Sequence, residues 1–277
     1  METKDTLRII TWNCRDGPFE EKRALLEKLK PDILVLQEIP APGKENDAHC
    51  IWVPGRLTKK KGVAVISAEG LDMSFDVPGP ELPEIFLPVR VRGRADFNLL
   101  AVWTQAEQKY IESFEPVIPA CRDFLLEAPS VIAGDFNSSA LWDRKNGKFS
   151  HRTLVDILDR DFGLVSAYHT FNDAIPGVEP ENTFYMYYHE DKPFHLDYCF
   201  VPKCWEITNV TVGKYDDWCT ETAAGKNRSD HCPVIVDLQW GQGPIRDNEK
   251  RSGDTGMTGK PEHPAPFWIK SHTTPRK

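Results

Sequence analysis

The chain has 277 residues, 40% of them hydrophobic and 27% charged, the composition of an ordinary globular protein long enough to bury a substantial core. No apolar run approaches the about 18 residues of a membrane span, and METKDTLRIITW at the start lacks the basic-then-apolar order of a secretory signal; a cytoplasmic protein with no membrane attachment is expected. The net charge is −8, and since residues 241–277 hold 7 Lys/Arg against 4 Asp/Glu, residues 1–240 carry −11, which excludes the electrostatic footprint of a strong non-specific DNA binder but not a polyanionic substrate neutralised by a divalent metal.

In chain order, Leu7–Trp12 (LRIITW) and Asp32–Leu36 (DILVL) read as strands that turn polar at Asn13 and Glu38. PFEEKRALLEKLK lies between them, with Phe19, Leu25, Leu26 and Leu29 on one helical face, Asp16 and Pro18 at its start and Pro31 at its end. Further strands are expected at 62–67, 85–91 and 97–103. An amphipathic stripe from Tyr110 to Leu125 is interrupted by Pro116 and Pro119, so it is kinked or split. A strand then runs through VIAGDFN, a helix covers 151–160, and β-rich segments follow at 183–188, 196–201, 207–213 and 232–239. Two sheets packed face to face with helices outside fit this order better than one doubly wound sheet. From Gly241, Gly and Pro make up 10 of 37 residues; the expected division is a folded body, 1–240, and a flexible tail, 241–277.

Seven cysteines without paired spacing suit reduced thiols in a cytosol. Cys199, Cys204, Cys219 and Cys232 can be drawn with His231 as a zinc site, but their spacings follow none of the usual zinc patterns.

Several strands end in a group able to bind metal or move protons: Asn13, Glu38, Asp135 with Asn137, Asp197, and Asp230 with His231. Singly, each has an ordinary role as a turn former, an exposed acid or a loop cap. Asp197 fits such a role less well, because it lies inside the apolar run FHLDYCF and a buried acid needs a partner. Together they supply hard oxygen ligands for Mg²⁺ or Mn²⁺, a carboxylate for water and a proton-bearing group, which are the requirements of phosphate-ester hydrolysis.

TWN (Asn13), LQE (Glu38), GDFN (Asp135, Asn137), LDY (Asp197) and SDH (Asp230, His231) occur in this order across most of the body. The set resembles the endonuclease/exonuclease/phosphatase superfamily with the DNase I-like fold, and KKKGVAVIS, SALWD, GLVSAYH and NTFYM look like a compact bacterial branch of it. The resemblance implies an α+β, four-layer α/β/β/α sandwich and a Mg²⁺- or Mn²⁺-dependent hydrolase of phosphodiesters. Nucleic acid is the expected substrate, a small phosphorylated metabolite or lipid head group the alternative, and a non-enzymatic binding module the third reading. It further implies Glu38, with Asn13 and Asp230, at the metal; Asp135 and Asn137 on the attacking water; and His231, oriented by Asp197, on the phosphoryl oxygen. The chain departs from many relatives in carrying Trp103-Thr104-Gln105 where they have His or Tyr, and Arg15 two residues after Asn13. Arg15, Gln105, His169 and Phe184 are expected substrate contacts.

Overall fold

The computed structural model describes residues 5–17, 19–42, 49–55, 60–75, 86–105, 110–144, 149–220 and 228–240. The tail at 241–277, Pro18 and Lys59 lie outside the described residues. Two six-stranded mixed sheets form the centre of the molecule. The first contains β1 (Asp5–Asn13), β2 (Ile33–Ile39), β3 (Cys50–Pro54), β4 (Gly62–Ser67), β13 (Glu206–Val212) and β14 (Val234–Trp240), in the order β13-β14-β1-β2-β4-β3. The second contains β5 (Leu71–Phe75), β6 (Phe86–Gly93), β7 (Phe97–Trp103), β8 (Ser130–Asp135), β9 (Leu164–Ser166) and β12 (Asp197–Pro202), in the order β5-β6-β7-β8-β12-β9. Each sheet has one parallel pair, β1 with β2 and β7 with β8, and every other pairing is antiparallel.

Strand alternation builds the layers. Leu7 and Ile9 of β1, with Leu99 and Ala101 of β7, point into the core between the sheets. Their neighbours Ile10 and Trp12 pack outward with Phe19 and Leu26 of α1 (Phe19–Glu27). Leu100 and Val102 pack outward against α2 (Phe114–Ala120), α3 (Arg122–Glu127) and α4 (His151–Phe162). The order is helix, sheet, sheet, helix, the expected four-layer α+β sandwich.

The interrupted stripe at 110–125 is a 3₁₀ turn followed by two short helices meeting at Cys121. β3 and β5 were not anticipated, nor was α5 (Ala167–Asn172) after β9. The expected strand at 183–188 is shorter: β10 (Phe184–Tyr185) pairs with β11 (Pro193–Phe194), then a 3₁₀ turn carries Tyr187 and Tyr188 at φ 57° and 61°. Left-handed backbone at two consecutive residues cannot continue a strand. A last short helix, α6 (Tyr215–Trp218), precedes β14. No helix among the described residues is long and apolar enough to cross a membrane.

Candidate active site

Both parallel pairs run their C-terminal ends to one edge of the sandwich, and β12 and β14, antiparallel to their neighbours, begin at that edge. Asn13 ends β1, Asp135 ends β8, Asp197 opens β12 opposite Asp135, and His231 stands three residues before β14. Glu38 lies in a bulge of β2, where the pairing with β4 slips between Gln37 and Ile39, and its φ is 57°. The bulge takes Glu38 out of the ladder alternation and aims it at the edge. Asn137 has φ 44°; non-glycine residues held in this region are sustained by their surroundings, commonly at working sites.

Gly134 brings Asp135 into place. Its φ is 148°, and a Cβ there would lie 1.9 Å from the Val102 carbonyl oxygen of β7. Only glycine lets β8 lie so close against β7.

The polar groups interlock across the two sheets. Asn13 Nδ2 donates to Asp135 Oδ2 at 2.9 Å and to Glu38 Oε1 at 3.2 Å. Asp135 also accepts the Asn137 backbone N–H on Oδ1 and Asn137 Nδ2 on Oδ2, each at 2.8 Å. His231 stands between two acids: Nδ1 is 2.8 Å from Asp197 Oδ2 and Nε2 is 4.0 Å from Asp135 Oδ2. All three are buried. Burial alone pulls the His231 imidazole down, but the carboxylates of Asp197, Asp135 and Asp230 outweigh it and hold the pKa up at about 10. Burial lifts Asp135 to about 7, with His231 opposing the lift.

Asp230 and Glu38 are the remaining acids, and each meets a cation. Arg15 Nη1 is 3.0 Å from Asp230 Oδ2, and Lys61 Nζ pairs with Glu38 Oε2. Burial raises the Asp230 carboxyl, against His231 and Arg15. Its Oδ1 is buried with no hydrogen-bond partner, an oxygen that a cation would satisfy. Carboxylate oxygens of this kind suit a hard divalent ion, so the residues present fit one. Asn13 Oδ1 already accepts the Arg15 N–H at 3.0 Å, which makes Asn13 a bridge between carboxylates more than a further oxygen donor. Asp135, Asp197 and His231 also place ligand atoms within 4.8 Å of one another. Within that group only His231 and Asp197 are hydrogen-bonded, while Asp135 stands 4.0 Å from His231 Nε2 and is held by Asn13 and Asn137.

Of the expected substrate contacts, Arg15 sits at the mouth with its side chain 49% exposed. Phe184 bridges to His231 through the backbone and lies against its ring at 4.7 Å between centroids. Gln105 is half-buried next to Thr104, which donates its N–H to the Asp135 carbonyl at 3.1 Å. His169 does not join the cluster: Ser166 Oγ lies 2.7 Å from its Nδ1 and Glu179 Oε1 3.0 Å from its Nε2. It stacks toward Tyr198 at 6.2 Å, and Tyr198 points to the opposite face of β12 from Asp197. The zinc reading also fails: Cys199 packs in the inter-sheet core, Cys204 is exposed, and only Cys219 and Cys232 approach each other, at 3.5 Å.

Three supporting residues escaped the sequence reading. Thr183 Oγ1 accepts the N–H groups of Leu196 and Asp197 at 2.9 and 3.0 Å. Ser229 Oγ donates to the Asn13 carbonyl at 2.6 Å and accepts the His231 N–H at 3.0 Å. Trp12 Nε1 donates to the His231 carbonyl at 2.8 Å. A hydroxyl or indole near a motif carries no signal by itself, since its partners lie far away in sequence.

Residues 10–231 match the Endonuclease/Exonuclease/phosphatase family. The chain belongs to this family. Among solved structures with the family fold, a 3′ phosphatase from Neisseria, NExo, bound to a product DNA hairpin, is 22% identical with a TM-score of 0.61, covering 84% of this chain and 100% of its own. An endonuclease/exonuclease/phosphatase from Bacteroides vulgatus is 15% identical at a TM-score of 0.60, covering 86% and 100%. Truncated Caenorhabditis elegans TDP2 is 13% identical at 0.60, covering 84% and 98%. At these identities the likeness is one of fold. No curated protein matches the chain in sequence. As a member of the family, the chain is a phosphoester hydrolase.

Proposed function

We propose that residues 1–240 form a Mg²⁺- or Mn²⁺-dependent phosphodiesterase acting on nucleic acid. The observation that carries the reading is His231 held between Asp197 and Asp135, with Asn13 bridging Asp135 to Glu38. Glu38 and Asp230, with Asn13 fixing Glu38, would hold the divalent ion, which supplies charge neutralisation at the phosphate when bound.

Asp135 accepts a proton from the attacking water, which Asn137 helps to hold. Its two oxygens are fixed by three N–H donors, so the acceptor is oriented before substrate arrives. His231, kept protonated by Asp197 and Asp135, donates a charge-assisted hydrogen bond to the phosphoryl oxygen as negative charge builds there. Phe184, against the His231 ring, offers an apolar face to the sugar or base beside the scissile phosphate. The Neisseria neighbour's bound DNA hairpin supports a nucleic acid substrate. The charge of −11 over residues 1–240 favours a second reading, a small phosphorylated molecule. Cys219 and Cys232, 3.5 Å apart as thiols with no bond between them, support a reducing compartment such as the cytoplasm.

Hydrolysis of a generic phosphodiester, a DNA hairpin and phosphorylated metabolites should require Mg²⁺ or Mn²⁺ and stop with EDTA. Asp135→Asn and His231→Gln should each lower kcat by about 10²-fold or more while circular dichroism stays unchanged. Wild-type rates in both variants would refute the assignment.

A further inference from the structure

Lys61 is the third lysine of the run at 59–61, which read as sequence is either a solvated loop or a contact to a phosphate backbone. The fold singles it out. Gly55 N donates to the Lys61 carbonyl at 2.8 Å, fixing the backbone just before β4. The next residue, Gly62, pairs with both Pro54 and Ile39, and a Cβ on it would stand 1.9 Å from the Val53 carbonyl oxygen. A side chain at position 62 would force β3 and β4 apart and carry Lys61 with them. On the facing strand, the β2 bulge leaves Glu38 unpaired by β4 and turned toward the site. The lysine and the carboxylate are brought together by these two backbone irregularities, and both are largely withdrawn from water, at 24% and 13% exposed.

The carboxylate that Lys61 neutralises is the one assigned to the divalent ion. Glu38 Oε1 takes the Asn13 amide, and Oε2 takes the Lys61 ammonium. From this we infer that Lys61 is the resident counter-ion of Glu38 and couples divalent-cation loading to binding of the substrate phosphate, an inference that rests on the proposed function above. A cation arriving at Glu38 competes with the ammonium for Oε2. The released ammonium is a compact positive charge on a flexible stem at the mouth of the site, suited to a phosphate. A phosphate that draws Lys61 away in turn leaves Oε2 open to the metal. Each ligand therefore strengthens the other, and the coupling is reciprocal. Arg15 is paired with Asp230 in the same way and half-exposed, so the mouth is charge-balanced before either ligand binds.

The test reads binding, not turnover. The full-length protein, Lys61→Met, Lys61→Gln, Lys61→Arg and Glu38→Gln are titrated with Mn²⁺ by calorimetry, without and with inorganic phosphate. Lys61→Met and Lys61→Gln should bind Mn²⁺ about two- to fivefold more tightly than wild type without phosphate, the range of a partly exposed ion pair. The gain in Mn²⁺ affinity on adding phosphate should shrink in both. Lys61→Arg, which keeps a cation, should not show the tighter binding. Unchanged or weaker Mn²⁺ affinity in the neutral variants, with Glu38→Gln still impaired, would overturn the role of Lys61 and leave the site standing. If Glu38→Gln bound Mn²⁺ as wild type does, the site assignment would fall and this inference with it.

Discussion

His231 faces an acid from each ring nitrogen, and under the proposed function its charge state sets the pH range of hydrolysis. Asp135 accepts a proton only when ionised, and burial lifts it to about 7. His231 donates only when protonated, and its neighbouring acids outweigh burial to hold it at about 10. The sign follows for each limb: kcat/KM rises as pH climbs through about 7 and falls as it approaches about 10. Asp197→Asn removes the strongest of the raising carboxylates, so the alkaline limb should move to lower pH. Rates from about pH 5.5 to 10.5 at saturating Mg²⁺ check this, and an unmoved limb in the variant would contradict the pairing. The motif acids and His231 were legible in the sequence because an ionisable group closing an apolar run is costly to bury unless a partner or a ligand meets it. Thr183 and Ser229 were not, nor was the pairing of Lys61 with Glu38, since a hydroxyl or lysine declares its partner only once strands distant in sequence lie side by side. His169 admits two readings in sequence, site contact or hydrogen-bonded core residue, because sequence shows that a histidine is near a strand but not which face of that strand it packs against.

Among the elements, β8 is the most tightly specified. Gly134→Ala would drive a methyl group into the Val102 carbonyl and force φ out of a region open to glycine. The expected loss is about 2–4 kcal/mol of stability, read from denaturant midpoints, with activity falling alongside because Asp135 follows directly. Gly163 gives the control: it caps α4 at φ 65° with nothing within 4 Å of an added Cβ. Gly163→Ala should lose only about 1 kcal/mol, the intrinsic left-handed penalty. Equal losses would show that the β7–β8 approach is not the constraint. The central strands could be read in advance because both of their faces are buried, which leaves continuous apolar runs such as VIAG and FNLLAVW. β3 and β5 could not, being short edge strands with half-exposed residues. The turn at Tyr187 and Tyr188 was hidden because FYMYY has strong strand propensity, which the backbone bond from His189 N–H to the Met186 carbonyl and the Tyr215 hydroxyl on the Tyr188 carbonyl oppose.

For the whole molecule, charge limits how nucleic acid can be held. Residues 1–240 carry −11, so few phosphates can be neutralised outside the site. Binding of a DNA hairpin should show a shallow salt dependence, with log K falling against log salt at a slope no steeper than about −2. Fluorescence anisotropy between about 25 and 200 mM KCl measures it, and a slope near −5 would mean an extended basic track. The two sheets also share a plan: β13-β14-β1-β2-β4-β3 and β5-β6-β7-β8-β12-β9 each place the parallel pair third and fourth. Glu38 and Asp135 lie toward the ends of equivalent strands, and Lys61 and Asp197 at the starts of the strands beside them.

The position of β14 has a consequence for synthesis. It lies between β13 and β1, so among the described residues the earliest strand waits for the latest one, and Asp230 and His231 emerge just ahead of it. A chain growing on the ribosome can complete the second sheet early, since all six of its strands precede residue 203. It carries no finished site until β14 has slotted in beside β1. On the proposed site assignment, hydrolytic power is withheld from every unfinished copy, and any truncation before β14 should abolish both closure of the first sheet and the chemistry in one step.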